Sequence, residues 1–386
     1  MDGCRRGSSS HETVRKSGAD HRRRCRHHRC DPLSVVKALG GLTATYTLRN
    51  DPAPFRERNQ IMSTTSSFQF DAAAFGTFGS GLTRPECVAA TRSGAVYCSH
   101  FGGGISRISP DGTRTDILGP GDPVVATNGF SLMPDGSALC ASLLPPGGVW
   151  RVTPDGQQEP FLVELDGEAL PPCNFVNYDT EGRVWATVST KRVPRALGYR
   201  KDVADGYIIL KDKRGTRIAA EGFGYTNESL VHPDGRHLYV NETFARRLTR
   251  LRITDDNRLV ERETVAEFGP GIFPDGLGFD AEGGVWIVSI ISNTVIRVMP
   301  DGEQQIILQD ADPDHLDMVE AAYEAGQMDR PHLDTIKSAH LRNISSIAFG
   351  GPDLKTVYFG NLLDDRIYTF KSPVAGAAPP HWAFNL

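Results

Sequence analysis

The sequence lacks any apolar run near the ~20 residues that a membrane-spanning helix needs. Nor does a charged start lead into an apolar core and a small-residue cleavage site, so no secretory signal is expected. An excess of one charge is missing as well. The 42 Lys and Arg stand against 47 Asp and Glu, a net charge of -5, and the body of the chain offers nothing to nucleic acid or to a membrane surface. Cysteine is scarce and odd in number, seven residues at irregular spacing, which argues against a disulfide framework and for a reducing cytoplasm. Cys87, Cys98, Cys140 and Cys173 fall in or beside predicted strands, where a free thiol acts as a small buried hydrophobe. Nothing in the sequence speaks to an oligomeric state.

Turn chemistry is what the chain has in quantity, with 40 Gly and 25 Pro among 386 residues. That favours many short strands over long helices. The first thirty residues are a different material. They carry nine Arg and Lys against three acids, including the run from His21 to Cys30, with no apolar periodicity. Their Cys and His spacing matches no four-ligand zinc pattern, and the composition is that of a disordered tail. Residues 1–65 are therefore expected to form a basic extension outside the folded domain, with Met62 the expected native start. The domain is expected to span 66–386.

A repeat sets the architecture of that domain. Turn triplets recur at Pro110-Asp111-Gly112, Pro134-Asp135-Gly136, Pro154-Asp155-Gly156, Pro233-Asp234-Gly235 and Pro300-Asp301-Gly302, with variants at Thr180-Glu181-Gly182 and Ala281-Glu282-Gly283. Gly takes positive φ freely, so Asp-Gly suits a tight hairpin. β-rich stretches such as Arg183–Val188 and Gly284–Val288 flank the turns. Stepping back eight residues from the first-hairpin Gly of each repeat reaches Glu86, Asn128, Asn174, Asn227 and Asp275. A sixth repeat, Ile344 to Asp353, offers Ser345 or Ser346 there. The spacing is about 40 to 55 residues, close to one four-stranded blade. Six units predict an all-β, six-bladed β-propeller. The last step is longer, about 70 residues, and residues 310–342 read as a short helical insertion before the last blade, over one tunnel mouth or along a blade edge.

In a propeller the first strand of each blade lines the central channel, so these five residues should converge at one end of it. Two carboxylates and several amide oxygens are hard ligands, suited to Ca²⁺, Mg²⁺ or Mn²⁺. One Asn or Asp before a strand is an ordinary turn former. Five in register are harder to assign to turns, and two facing acids repel unless a cation or proton intervenes. Trp150, Trp185 and Trp286 recur on strands and read as inter-blade packing. His100 reads as a structural histidine and His232 as a surface one. Tyr199-Arg200 and Arg246-Arg247 lie between strands, as solvated loops or local ion pairs.

From about Phe68 to Trp382 the chain resembles the SMP-30/gluconolactonase family of metal-dependent lactonases, also called regucalcin-like. The resemblance rests on Arg84-Pro85-Glu86-Cys87-Val88, Asn174–Asp179, Tyr225-Thr226-Asn227-Glu228, Phe273–Leu277 and Ala348–Asp353, in that order and spacing. It implies one divalent cation (Ca, Mg, Mn or Zn) held by Glu86, Asn227 and Asp275, with Asp275 also the general base. It places Asn174 on the substrate or on a water, and Asn128 remains a tunnel-lining candidate for substrate binding. Two positions depart from the pattern. Glu228 stands where many members have Gly. Pro172 stands where sugar-lactone members carry an Arg, and with Pro171 and Cys173 it suggests a less polar ligand. The implied reaction is metal-assisted opening of a small-molecule lactone to a hydroxy acid. A phosphotriester or other ester hydrolase on the same scaffold, or a non-catalytic metal-stabilised binding module, are the alternative readings.

Overall fold

The computed structural model describes residues 69–386 and the short strand Thr64–Thr65. The basic run, the expected start at Met62 and all of the expected extension except Thr64–Thr65 lie outside the described residues. Six blade sheets, each with four antiparallel strands, follow one another along the chain, beside a two-stranded sheet of Glu164–Leu165 and Glu168–Ala169. Blade 1 runs from Val88 to Ile117, blade 2 from Thr127 to Leu162, blade 3 from Phe175 to Phe223 and blade 4 from Thr226 to Glu267. Blade 5 runs from Phe273 to Gln309 and carries Thr64–Thr65 as a fifth, parallel strand on its outer edge. Blade 6 draws on both ends of the domain. Ile344–Gly350, Thr356–Asn361 and Ile367–Lys371 form its inner three strands, and Gly76–Phe78 is its outermost. The ring is thus closed by a strand from its N-terminal end, and the expected all-β six-bladed propeller is what the chain forms.

The turn triplets do what their chemistry predicts. In each hairpin the residue before the triplet accepts from the turn Gly and pairs with the residue beyond it, or, at His232, with the second residue beyond. Examples are Gly112 N to Ser109 O at 2.8 Å and Gly302 N to Met299 O at 2.8 Å. The Gly sits at positive φ each time (86° at Gly112, 87° at Gly302), closing a type I turn with a left-handed residue. Two turn acids also tie a blade to its tryptophan. Asp179 accepts from Trp185 Nε1 at 2.9 Å, and Asp280 from Trp286 Nε1 at 2.8 Å. Both indoles are fully buried between neighbouring blades, Trp185 against Leu238 and Val240, Trp286 against Phe349 and Val357. Trp150 is only half-buried.

Inner strands are buried along their length, whereas outer strands such as Leu259–Glu267 are largely exposed. Four of the six inner strands also share an irregularity. Pairing shifts between Thr127 and Phe130, Thr226 and Ser229, Pro274 and Leu277, and Ile344 and Ser346. Each shift is a β-bulge spanning the position picked out by the eight-residue register. A bulge adds an unpaired residue and re-aims its side chain. Two of these bulges contain a Gly, and neither site admits a Cβ. At Gly129 it would meet Phe175 Cδ2 at 2.4 Å, and at Gly276 the Ser345 carbonyl at 2.5 Å. Adjacent inner strands approach too closely there for any other residue.

The insertion forms two helices, α1 over Pro313–Glu324 and α2 over Arg330–Asp334. Its apolar residues are not as idle as their sparseness suggests. Leu316, Val319, Tyr323, Met328 and Leu333 join Tyr199, Tyr225, Phe244 and Phe273 in one buried cluster on the propeller face. Arg246 and Glu320 pin it there, Nη1 to Oε1 at 2.9 Å and Nη2 to Oε2 at 2.7 Å, with the guanidinium over the Tyr323 ring at 3.9 Å.

Candidate functional site

Among the described residues, two cavities lie along the inner strands. The larger, about 210 Å³, is lined by inner-strand residues of all six blades and by the segment Ala377–His381. The smaller, about 40 Å³, holds the chemistry: Glu86, Asn128, Asn174, Asn227 and Asp275 all line it. Every member of the register therefore reaches one chamber. The sixth repeat does not supply a matching ligand. Ser345 Oγ donates to the Glu86 carbonyl at 2.8 Å, a blade-to-blade tie, and Ser346 faces the larger cavity.

Hydrogen bonds orient the set. Asn227 Nδ2 donates to Thr243 Oγ1 at 2.9 Å, and Thr243 Oγ1 donates to the Pro274 carbonyl at 2.8 Å. That chain turns Asn227 Oδ1 the other way, where it is buried without a hydrogen-bond partner. Asp275 Oδ1 is buried and unpartnered in the same manner. A buried acceptor left unsatisfied costs about 1–3 kcal/mol. Two beside a buried carboxylate make a donor set of hard oxygens that suits a cation. Glu86 Oε1 accepts from Asn128 Nδ2 at 2.8 Å. Asn128 Oδ1 in turn accepts from Arg84 Nη1 at 2.9 Å. Among the described residues no cluster of three or more His, Cys, Asp and Glu could hold a metal. The donor set is a mixed one of two acids and amides.

Electrostatics follow from burial. Desolvation pushes the Glu86 carboxyl up to about 7, against the pull of Arg84 and of the Asn128 hydrogen bond. Asp275 is raised well above the usual carboxylate range, first by burial and then by Glu86. Glu228, at the departure from the family pattern, is raised by burial and by Glu86. It occupies the bulge position that is Gly in blades 2 and 5. Its Oε2 accepts from Leu277 N at 3.0 Å, and its side chain lines the larger cavity.

Several lining residues fall outside the register. Arg84 and Tyr225 sit two residues before Glu86 and Asn227, at φ 50° and 70°. Such left-handed backbone in bulky residues is costly and gathers at functional sites. Arg195 and Tyr199 come from a loop of blade 3, and Arg330 and Leu333 from α2. Pro171, Pro172 and Cys173 do not line the chamber. The lining mixes three arginines, Arg84, Arg195 and Arg330, with apolar residues such as Phe244, Ile290 and Leu362. His232, expected at the surface, is half-buried and lines the larger cavity. His100 lines neither cavity, and its Nδ1 accepts from Gly102 N at 3.0 Å. Arg246 and Arg247 are committed to ion pairs with Glu320 and Glu242.

The fold is a six-bladed propeller with an axial chamber lined by acids and amides. Residues 124–309 match the SMP-30/Gluconolactonase/LRE-like region, so the family resemblance drawn from the motifs holds. That span contains Asn128, Asn174, Asn227 and Asp275; Glu86 precedes it. The chain is similar to a pentonolactonase of Haloferax volcanii, 26% identical over 60% of this chain and 65% of that one. It is also similar to a 6-deoxy-6-sulfogluconolactonase of Pseudomonas putida, 26% identical over 57% of this chain and 64% of the relative. The match thus spans a little under two thirds of each curated relative. Among solved structures, regucalcin of Agrobacterium tumefaciens, a calcium-binding protein, superposes with a TM-score of 0.56 at 17% identity, covering 80% of this chain and 99% of that one. At that identity the likeness is one of fold.

Proposed function

We propose that the protein is a metal-dependent lactonase that opens a small lactone to a hydroxy acid. The observation that carries this reading is the pair of buried, unpartnered oxygens, Asn227 Oδ1 and Asp275 Oδ1, facing the chamber that Glu86 also lines. The names of the curated relatives support the choice of a lactone as substrate.

Glu86, Asn227 and Asp275 would hold one divalent cation, Ca, Mg, Mn or Zn. Such an ion supplies a Lewis acid for the carbonyl oxygen and acidifies a bound water. The chain's own residues do the rest. Asp275 takes the proton of the water that adds to the carbonyl carbon. The acyl C–O bond of the ring then breaks, and Asp275 returns the proton to the ring oxygen, which leaves as a hydroxyl. Asn174 contacts the substrate or the water. Asn128, its amide spent on Arg84 and Glu86, fixes the Glu86 carboxylate and presents one edge to the chamber. The four buried thiols fit a reducing compartment, and we place the protein in the cytoplasm.

A panel of lactones and phosphotriesters, assayed before and after chelation, tests the reading. Lactone opening should vanish on chelation and return with Mn²⁺, Mg²⁺ or Ca²⁺. Asp275→Asn should lower kcat by about 10²–10⁴-fold, the usual worth of a general base. Undiminished turnover in metal-stripped protein would overturn it, and preferential phosphotriester cleavage would move the protein to the other hydrolase class.

A further inference from the structure

The chamber carries more positive charge than its acids can use. Arg84, Arg195 and Arg330 line it together with only two carboxylates, Glu86 and Asp275. A divalent cation on those carboxylates would cancel their charge and leave three guanidinium groups. Arg84 is spent inside the site on Asn128 and Glu86. Arg330 is half exposed and pairs with Asp334 at two points, Nε to Oδ2 at 3.1 Å and Nη2 to Oδ1 at 2.6 Å, which leaves Nη1 outside that pair; Asp334 does not line the chamber. Arg195 has no carboxylate partner among the described ion pairs. Its Nη2 donates to Ser189 Oγ at 3.0 Å, and its guanidinium lies over the Tyr225 ring at 5.6 Å. The two outer arginines come from separate segments, a loop of blade 3 and the insertion, yet border one opening. Tyr199, Tyr225 and Leu333 line the chamber beside them.

We propose that Arg195 and Arg330 form an anion-recognising rim, and that the lactone carries a second, anionic group such as a carboxylate, sulfonate or phosphate. Arginine matches these planar or tetrahedral anions through paired N–H donors. A neutral lactone offers no counter-charge to Arg195, which has no carboxylate partner among the described ion pairs. The anion would sit at the rim and leave the carbonyl end of the molecule directed inward to Glu86, Asn227 and Asp275. The insertion thereby gains a role in specificity, since it supplies Arg330 and Leu333. The identity of the substrate rests on the lactonase reading above; the rim itself does not.

Two measurements separate these. The first compares kcat/KM for glucono-δ-lactone and its 6-carboxylate analogue at low salt, in wild type, Arg195→Gln, Arg330→Gln and Arg330→Lys. Wild type should favour the carboxylate at least 10-fold. Each Gln variant should cut that ratio several-fold through KM, and Arg330→Lys should retain part of it. The second titrates malonate and inorganic sulfate calorimetrically into wild type and the Arg195→Gln/Arg330→Gln double variant, with thermal unfolding as the check on folding. Binding should weaken at least 10-fold in the double variant and fall with added salt. Lactone opening without any preference, together with anion binding unchanged by the double substitution, overturns the rim and leaves the lactonase reading standing. Arginine-dependent anion binding without opening of either lactone upholds the rim and overturns the lactonase reading.

Discussion

At the scale of single residues the site is built by displacement from regular pairing. Asn227 and Asp275 sit in bulges, and the bulge frees each side chain from the pleat to point along the axis. The cost is a close approach of neighbouring strands, which Gly276 accommodates against the Ser345 carbonyl and Ser346 Cα. Gly276→Ala must push backbone against backbone. It should cost about 1–3 kcal/mol as an overpacked site, read as a lower urea midpoint at unchanged slope. An unaltered midpoint would mean that the blade 5–6 seam yields more than its contacts suggest. The same geometry explains which site residues were legible. A hairpin Gly locks its strand, so the residue eight positions upstream is fixed in space, and Glu86, Asn128, Asn174, Asn227 and Asp275 could be read directly. Arg84 lay in view within Arg84-Pro85-Glu86, but its direction depends on a left-handed φ that no periodicity announces.

At the scale of elements, two segments outside the blades are held by identifiable contacts. The insertion depends on the buried Arg246–Glu320 pair, each side chain under a tenth exposed. Glu320 also accepts from Gly271 N at 3.0 Å. Glu320→Ala would strand a buried guanidinium, a loss of about 3–5 kcal/mol in comparable pairs. Limited proteolysis should then cut within 310–342 well before the propeller unfolds. The segment Ala377–His381 closes the larger cavity through His381, whose Nε2–H donates to the Ala90 carbonyl at 2.9 Å. Burial lowers the His381 imidazole from 6.5 to about 4. The unfolded or undocked chain therefore binds the proton more readily than the native one. Stability from this group is full above pH 6.5 and is lost as pH falls toward 4. Thermal unfolding at pH 7 and pH 5 should show a decline that His381→Gln reduces; an equal decline in both proteins would place its origin elsewhere. Neither the insertion nor this segment repeats within the chain, so no internal register could place Arg330 or His381.

At the scale of the whole molecule, ring closure decides stability. Blade 6 takes its outer strand, Gly76–Phe78, from the opposite end of the domain, and Phe78 packs edge-on against Tyr358 at 5.7 Å. A chain begun at Met62 keeps every described strand and should unfold at the same temperature as the full chain. One begun at residue 80 loses the closing strand. Its Tm should fall by several degrees, at about 2–4 °C per kcal/mol for a domain this large. Equal Tm values for both truncations would show that the closing strand adds nothing.

The sequence by itself determined the number of blades, their order and the five axial positions. Those follow from local rules: Gly supplies positive φ, the hairpin has fixed length, and side chains alternate along a strand. Tertiary structure alone decided that the sixth blade offers no ligand, that Glu228 turns to the other cavity and that Asn227 and Asp275 keep unpartnered oxygens. It also brought Arg195 and Arg330 to one rim from positions more than a hundred residues apart. Hydrogen-bond partners and the meeting of non-repeating loops depend on how the ring closes, and no local spacing along the chain encodes that.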